Sequence, residues 1–292
     1  MGTIIVGLDE SDHSAEALRW AVAEGARRGW DVRAVLAWTF LRQHRVDRTT
    51  VHDPEYDEEN AALALASYVA DAVGDEAAAH VQLQLICDLP GPALVEASEG
   101  AELVVVGSHG YGGIAGLVMG SVSQHCLHHV QAPIAIVRGP DRRTDLKAGK
   151  VVVGVDGSDT SRRALDWALD EARSRDGYVE VVHSWMLPAS YGFPTLAVPD
   201  LAVFEEGAEA LVDQMIDAAD TSGLSRPISR IIVGGTSTAG LLAERAADAE
   251  VLIVGSRGIG GFSGMLVGSV AHHLSNHAPG PLVVIPAEHD VH

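Results

Sequence analysis

Along this chain, short runs that are apolar at almost every position alternate with longer stretches in which apolar residues recur every three or four positions. The short runs fall near 3–8, 32–38, 80–86, 103–107 and 133–137, and again near 151–155, 179–184, 229–233, 251–255 and 282–285. They are rich in Val and Ile, which predicts parallel strands buried between helix layers. Helical spacing is clearest in Ser14-Ala-Glu-Ala-Leu-Arg-Trp-Ala-Val-Ala-Glu, with Ser11 as its N-cap. It recurs over 61–73, 92–99, 159–174, 200–221, 238–248 and 269–277. The order repeats: Ala17-Leu-Arg-Trp-Ala in the first half answers Ala164-Leu-Asp-Trp-Ala in the second. Strands alternating with helices predict an α/β fold, here two tandem doubly wound, Rossmann-like domains, each on a five-stranded, mainly parallel sheet. The polar, turn-rich stretch 139–149 reads as a linker between domains at 1–138 and 150–292.

A second repeat carries chemistry. Gly107-Ser-His-Gly110, nine residues and Gly120-Ser121 return as Gly255-Ser-Arg-Gly258, nine residues and Gly268-Ser269, every glycine displaced by 148 positions. Each cluster follows a strand and leads to a helix opening at Gly-Ser. Glycine allows backbone to approach a ligand closely and to adopt φ > 0, and a helix N-terminus presents free N–H groups to phosphate. In a doubly wound sheet, ligands sit at the carboxyl ends of the strands where strand order reverses. Asp9 and Asp156 fall there after the first strand of each repeat, and the glycine clusters fall there after the fourth. The combination reads as a nucleotide-phosphate cradle, present twice. The competing reading is that the glycines only shape turns and that the aspartates are acids favoured at a helix N-terminus.

Composition narrows the partners. A length of 292 residues suits two domains. Forty acidic against twenty basic residues give a net charge of −20, which repels nucleic acid and acidic membrane surfaces. A polyphosphate must therefore be held locally. Two cysteines, Cys87 and Cys126, give neither a disulfide framework nor a metal knuckle. The N-terminus lacks the basic region of a signal peptide, and no apolar run reaches the ~20 residues of a membrane span, so a cytoplasmic location is expected.

Other nucleotide and catalytic motifs fit poorly. GxxxxGK[ST] is absent. Gly110-Tyr-Gly-Gly-Ile-Ala115 matches GxGxx[GA] but lacks both the immediate helix and the acid about 20 residues on. No GxSxG or HExxH occurs. His125 and His129, and His273 and His277, are spaced to chelate a metal, yet no acid or cysteine recurs beside both pairs, and a polar helix face or subunit contact is the simpler reading. His109 and Arg257 occupy equivalent places in the glycine loops. Arg257 suits phosphate oxygens, and His109 does so when protonated; a solvated loop tip is the alternative for both. The long loops 39–55 and 187–199 are candidate lids or simply surface connections.

With Val6-Gly-Leu-Asp9-Glu-Ser, Val153-Gly-Val-Asp156-Gly-Ser and two complete Gly-x2-Gly-x9-Gly-Ser motifs in register, the chain resembles the universal stress protein family in its tandem form. The resemblance spans essentially all 292 residues. It implies one adenine-nucleotide site per domain, with ATP as the usual ligand and Mg2+ as an optional companion. It also implies that Asp9 and Asp156 meet the ribose or adenine side, and that Ala37 and Ser184 offer backbone to the adenine edge. Gly107, Gly110, Gly120, Ser121, Val122 and Ser123 would wrap the phosphates of the first site. Gly255, Gly258, Gly268, Ser269 and Val270 would wrap those of the second. Ser123 is the residue type the family favours, and its counterpart Ala271 lacks the hydroxyl. Further implications are a regulatory stress-response role with an unidentified protein partner, and a homodimer formed through last strands such as Ile134-Ala-Ile-Val137. A slow ATPase or phosphotransferase using the same pockets is the alternative function, with Asp9 or Asp156 as the only recurring acids near the site.

Overall fold

The computed structural model describes residues 2–38, 43–46, 49–52, 57–110, 119–139, 143–186, 201–260 and 266–287. It divides into two units, Met1–Asp141 and Arg142–His292.

The first unit runs β1 (Thr3–Leu8), α1 (Asp12–Arg28), β2 (Asp31–Trp38), β3 (Gln43–Val46), β4 (Thr49–His52), α2 (Glu58–Val73), α3 (Asp75–Ala78), β5 (Val81–Cys87), α4 (Pro90–Ala97), β6 (Leu103–Gly107), α5 (Ser121–His129) and β7 (Ile134–Val137). Its sheet has the order β7-β6-β1-β2-β5, with every neighbouring pair parallel. The second unit runs β8 (Lys150–Gly154), α6 (Asp159–Ser174), β9 (Tyr178–Trp185), α7 (Leu201–Ala218), β10 (Ser229–Gly234), α8 (Thr238–Ala246), β11 (Val251–Gly255), α9 (Ser269–His277) and β12 (Leu282–Ile285). Its order is β10-β9-β8-β11-β12, again all parallel. In each unit the chain winds outward on one side of the first strand, then returns to build on the other side. The reversal falls between β1 and β6, and between β8 and β11.

Burial explains the all-apolar strands. Ile4 and Val6 in β1, Leu103 to Val105 in β6, and Val151 to Val153 in β8 are fully enclosed, because helices cover both faces. The inner face of α1 is small, with Ala17 and Ala21 buried, and Gly25 lies so close to Val32 that a Cβ there would meet its side chain at 2.7 Å. Ser11 caps α1 by accepting from the Ser14 N–H at 3.2 Å, and Gly29 ends the helix in the left-handed conformation.

Three local features depart from the sequence pattern. β3 and β4 form an antiparallel hairpin inside the stretch expected as loop 39–55; its runs of four residues are too short to show a clear period. α2 begins at Glu58, ahead of the first apolar position, because the Asp57 carboxylate accepts from the Asn60 N–H at 2.9 Å. α4 begins two residues early, with its prolines in the first turn, where no N–H is needed. The other candidate lid, 187–199, lies outside the described residues.

Residues 143–149 pack on the second unit. Arg143 donates to the carbonyls of Ala246 (3.0 Å) and Ala249 (2.5 Å), and the Lys147 N–H donates to the Asp248 carbonyl at 2.8 Å. Nearby, Lys150 is 1% exposed, and its ammonium donates to Asp248 (2.7 Å) and the Arg245 carbonyl (2.9 Å), with Glu180 at 3.3 Å. Arg245 also holds Glu180 by two bonds of 2.6 Å. These charges tie the start of β8 to β9 and the end of α8, at the sheet end opposite the glycine motifs. No helix among the described residues is long and apolar enough to cross a membrane.

Candidate functional site

At the carboxyl end of β8 the chain turns from strand to helix through Asp156-Gly-Ser158-Asp-Thr-Ser161. One carboxylate oxygen of Asp156 accepts from the Ser158 N–H (3.0 Å) and hydroxyl (2.6 Å), and the other accepts from the Ile259 N–H in the glycine loop (2.8 Å). The Asp156 N–H in turn donates to the Ser161 hydroxyl at 3.3 Å. Burial works against the charge of Asp156, but the bonds from Ser158, Ile259 and Ser161 outweigh it and hold the carboxyl below its ordinary range. Asp9 repeats the geometry, accepting from the Ser11 N–H (3.2 Å) and hydroxyl (2.6 Å) while its own N–H donates to Ser14 at 3.3 Å. The twice-occurring Asp-x-Ser-x-x-Ser spacing carried this signal, and the partner serines 11, 14, 158 and 161 escaped notice as site residues. So did Tyr68 of α2, whose hydroxyl lies 2.7 Å from that of Ser14 and donates to the Ser11 carbonyl at 2.7 Å. Burial pushes that phenol up to about 12.

The glycine motifs close against these aspartates. A Cβ on Gly110 would lie 2.5 Å from an Asp9 carboxylate oxygen, and one on Gly258 would overlap the corresponding oxygen of Asp156. A Cβ on Gly107 would lie 3.0 Å from the His13 backbone, and one on Gly255 would lie 2.9 Å from the Thr160 side chain. None of the six motif glycines has positive φ. Of the two roles open to these glycines, positive φ is thus not used, and close approach is what excludes a side chain at Gly107, Gly110, Gly255 and Gly258. The nine-residue loops return to their start, with the Gly120 N–H donating to the Ser108 carbonyl (2.8 Å) and the Gly268 N–H to the Ser256 carbonyl (2.7 Å).

From there α5 and α9 begin. Gly120 and Gly268 are their N-caps and make no side-chain capping bond, whereas α1, α6 and α8 are capped by Ser11, Ser158 and Ser237. The first-turn N–H groups, at Ser121, Val122 and Ser123 and at Ser269, Val270 and Ala271, thus lack the side-chain acceptor that α1, α2, α6 and α8 carry. In the second unit they face a cavity of about 360 Å³ lined by Asp156, Gly255, Arg257 and Gly258, and by Gly268, Ser269 and Val270. Every second-repeat residue expected from the motif lies on its wall. Ser184, at the end of β9, reaches it through Thr238, their hydroxyls 2.5 Å apart. In the first unit Asp9, Gly107, Gly110 and Gly120 converge in the same way. Ala37 stands near the end of β2, paired with Ile86.

Two side chains behave differently from expectation. The Ser123 hydroxyl, buried, donates to the Gly107 carbonyl at 2.5 Å and so braces helix against strand. Ala271 is equally buried without it. The Arg257 guanidinium donates to the Leu266 carbonyl at 3.3 Å across the glycine loop. The helical histidines stack in pairs, His125 on His129 at 4.2 Å and His273 on His277 at 4.4 Å, each second ring bonded to the carbonyl of the first residue. Among the described residues no group of three or more His, Cys, Asp or Glu side chains is placed to hold a metal.

Comparison with known proteins agrees with this arrangement. The universal stress protein family model matches residues 1–138 and again 147–286. The chain is 30% identical to a universal stress protein of Mycolicibacterium smegmatis, over 97% of this chain and 96% of the relative. It is also 30% identical to a universal stress protein of Mycobacterium tuberculosis, over 96% of each. The crystal structure of a universal stress protein from Archaeoglobus fulgidus superposes with a TM-score of 0.63 at 22% identity, covering 99% of this chain and 97% of that one, which establishes the shared fold. Matched by its family model in both halves and by relatives along nearly its whole length, the chain belongs to the universal stress protein family.

Proposed function

We propose that the chain binds one adenine nucleotide in each unit, with ATP as the principal ligand, and acts as a nucleotide-responsive stress regulator rather than a catalyst. The observation that carries this reading is the pair of helix starts without a side-chain cap, α5 and α9, set at the strand-order reversal, with α9 opening beside a glycine-walled pocket. Free N–H groups and the positive end of the helix dipole favour phosphate there. The second-unit cavity of about 360 Å³ falls within the range of small-molecule sites. Its wall fits the ligand chemically: Gly268, Ser269 and Val270 offer backbone donors, Arg257 supplies a permanent cation, and Asp156 supplies an acceptor suited to ribose hydroxyls. Mg2+, where present, would arrive with the nucleotide.

The same geometry speaks against rapid hydrolysis. A general base works best with a pKa near the operating pH, and Asp156 is displaced the other way by its hydrogen bonds. Family membership supports the regulatory role, and a cytoplasmic homodimer with a protein partner completes the reading. Nucleotide titration of purified protein tests it. The expected result is about two equivalents of ATP or ADP per chain with turnover far below the ~1–1000 per second of ordinary enzymes. No binding at saturating nucleotide would refute the reading, and ordinary turnover would make the protein an enzyme.

A further inference from the structure

The two sites share a backbone frame, but the side chains around it differ. Position 109 of the first glycine loop is His where the second has Arg257, and position 13 on the first helix is His where the second has Thr160. The His13 and His109 rings lie 5.3 Å apart between centroids. The His109 Nδ1 sits 3.0 Å from the Ser108 hydroxyl, which steadies the ring at the loop's entrance. The His13 Nδ1 is buried and has no hydrogen-bond partner among the described residues. The wall is shaped for this imidazole: a Cβ on Gly139 would stand 3.0 Å from its Cε1 and 3.2 Å from its Nδ1. At the corresponding place the second repeat carries Ala287, where the facing helix carries the smaller Thr160.

A buried ring nitrogen without a partner is costly, and such groups mark sites where a ligand supplies what the protein omits. Burial and then the neighbouring His109 depress protonation of His13; Asp9 and Asp12 favour it, and Arg138 opposes it. In the ligand-free protein His13 is therefore neutral at pH 7. An oxyanion placed beside the two rings reverses the balance, because a nearby opposite charge stabilises imidazolium. Resting on the nucleotide reading above, we propose that His13 and His109 form a proton-loaded anchor for the terminal phosphate in the first site. Docking there takes up a proton, whereas docking at the Arg257 site does not.

The sign follows from linkage. The imidazole pKa is low without ligand and raised with it, so affinity is full below the free value and is lost as pH rises through the bound value. One linked proton changes affinity up to about tenfold per pH unit in that window. Arg257 stays charged throughout. The nucleotide's own terminal ionisation, near pH ~6, acts on both sites alike. The difference between sites is therefore the diagnostic quantity.

The experiment is calorimetric titration of the full chain with ATP and ADP at about pH 6 and about pH 8, in two buffers of different ionisation enthalpy, which counts protons. The expected result is two sites, one weakening about tenfold or more with rising pH and taking up about one proton, the other nearly constant. His109→Arg, which installs the second repeat's own residue, should strengthen the first site most at about pH 8 and so narrow the difference between the two sites. His13→Gln should lower the proton count while melting at the wild-type temperature. Two bound nucleotides sharing one pH profile would overturn the anchor and leave the binding reading intact. Undiminished proton uptake in a His13→Gln, His109→Gln double variant would overturn it equally. No binding at either pH would overturn both proposals together.

Discussion

Gly258→Ala and Gly268→Ala each add one methyl group to the same glycine motif, yet they should behave very differently. At Gly258 the new Cβ overlaps the Asp156 carboxylate oxygen that accepts from the Ile259 N–H at 2.8 Å. The backbone is fixed by β11 behind it, so the carboxylate must swing away and that bond is lost. The other oxygen keeps Ser158, so the fold of α6 survives. A hydrogen bond to a charged acceptor contributes about 1.5–3 kcal/mol, and without it the loop is no longer held in the conformation that faces the phosphates. The second site should weaken roughly 10- to 150-fold, using about 1.4 kcal/mol per decade, while the first site stays unchanged. At Gly268 the Cβ would lie 3.4 Å from the Ser256 carbonyl, an ordinary contact, and φ is −73°, which alanine adopts freely. Its effect should stay within a few-fold unless the methyl enters the phosphate path. Calorimetric titration of both variants, with melting curves to confirm folding, decides between them. Wild-type affinity in Gly258→Ala, or a greater loss in Gly268→Ala, would refute the claim that the aspartate–glycine contact organises the site.

Three further outcomes follow from the surrounding framework. Lys150→Ala should destabilise the second unit by about 3 kcal/mol, the low end for breaking a buried ion pair, because Arg245 continues to pair with Glu180; urea denaturation measures it. Asp248 is partly desolvated, but its bonds to Lys147 and Lys150 win and depress it to about 2. Its contribution is thus present above the unfolded value near ~3.9 and is lost as pH falls from about 4 to about 2. Asp248→Asn should flatten that acid limb in denaturation midpoints collected across the window. Tyr68→Phe should cost about 1–2 kcal/mol through loss of its bonds at Ser11 and Ser14, and a drop confined to unfolding, with nucleotide affinity unchanged from wild type, would assign it to the framework alone.

The strands were legible because parallel strands covered on both faces must be apolar throughout, and Leu103-Val-Val-Val106 admits no other assignment. The first two glycines of each motif were legible for a related reason: at Gly107, Gly110, Gly255 and Gly258 close approach leaves no room for a Cβ, so the constraint is written directly in residue type. Its cause was less legible. The motif alone does not separate glycine required by φ from glycine required by crowding, and only the Asp9–Gly110 and Asp156–Gly258 contacts decide for crowding. Helix starts such as Glu58 depend on a cap, Asp57, that lies outside the apolar period. The Ser123 brace was hidden because a serine in the first turn of a helix suits phosphate and a strand carbonyl equally well.

What the two sites hold in common is an aspartate–serine turn and a backbone frame: strand ends, a returning loop and a helix start without a side-chain cap. Backbone donors carry no titratable charge, so on the proposed reading their contribution to phosphate binding does not vary with pH, while the Asp9 and Asp156 carboxylates hold the turns beside them. A chain with net charge −20, however, repels a polyphosphate as a whole. At about 0.1 M salt that repulsion is screened beyond roughly 10 Å, which leaves the local cation to decide how firmly the terminal phosphate is held. Arg257 is such a cation; in the proposed anchor His13, whose protonation burial disfavours, becomes one when a phosphate arrives beside it. On the proposed reading the frame serves nucleotide in both units, and the residues at 13 and 109 against those at 160 and 257 set the order of filling. At neutral pH the second site should therefore fill first, and the gap between the two should narrow as the solution becomes acidic.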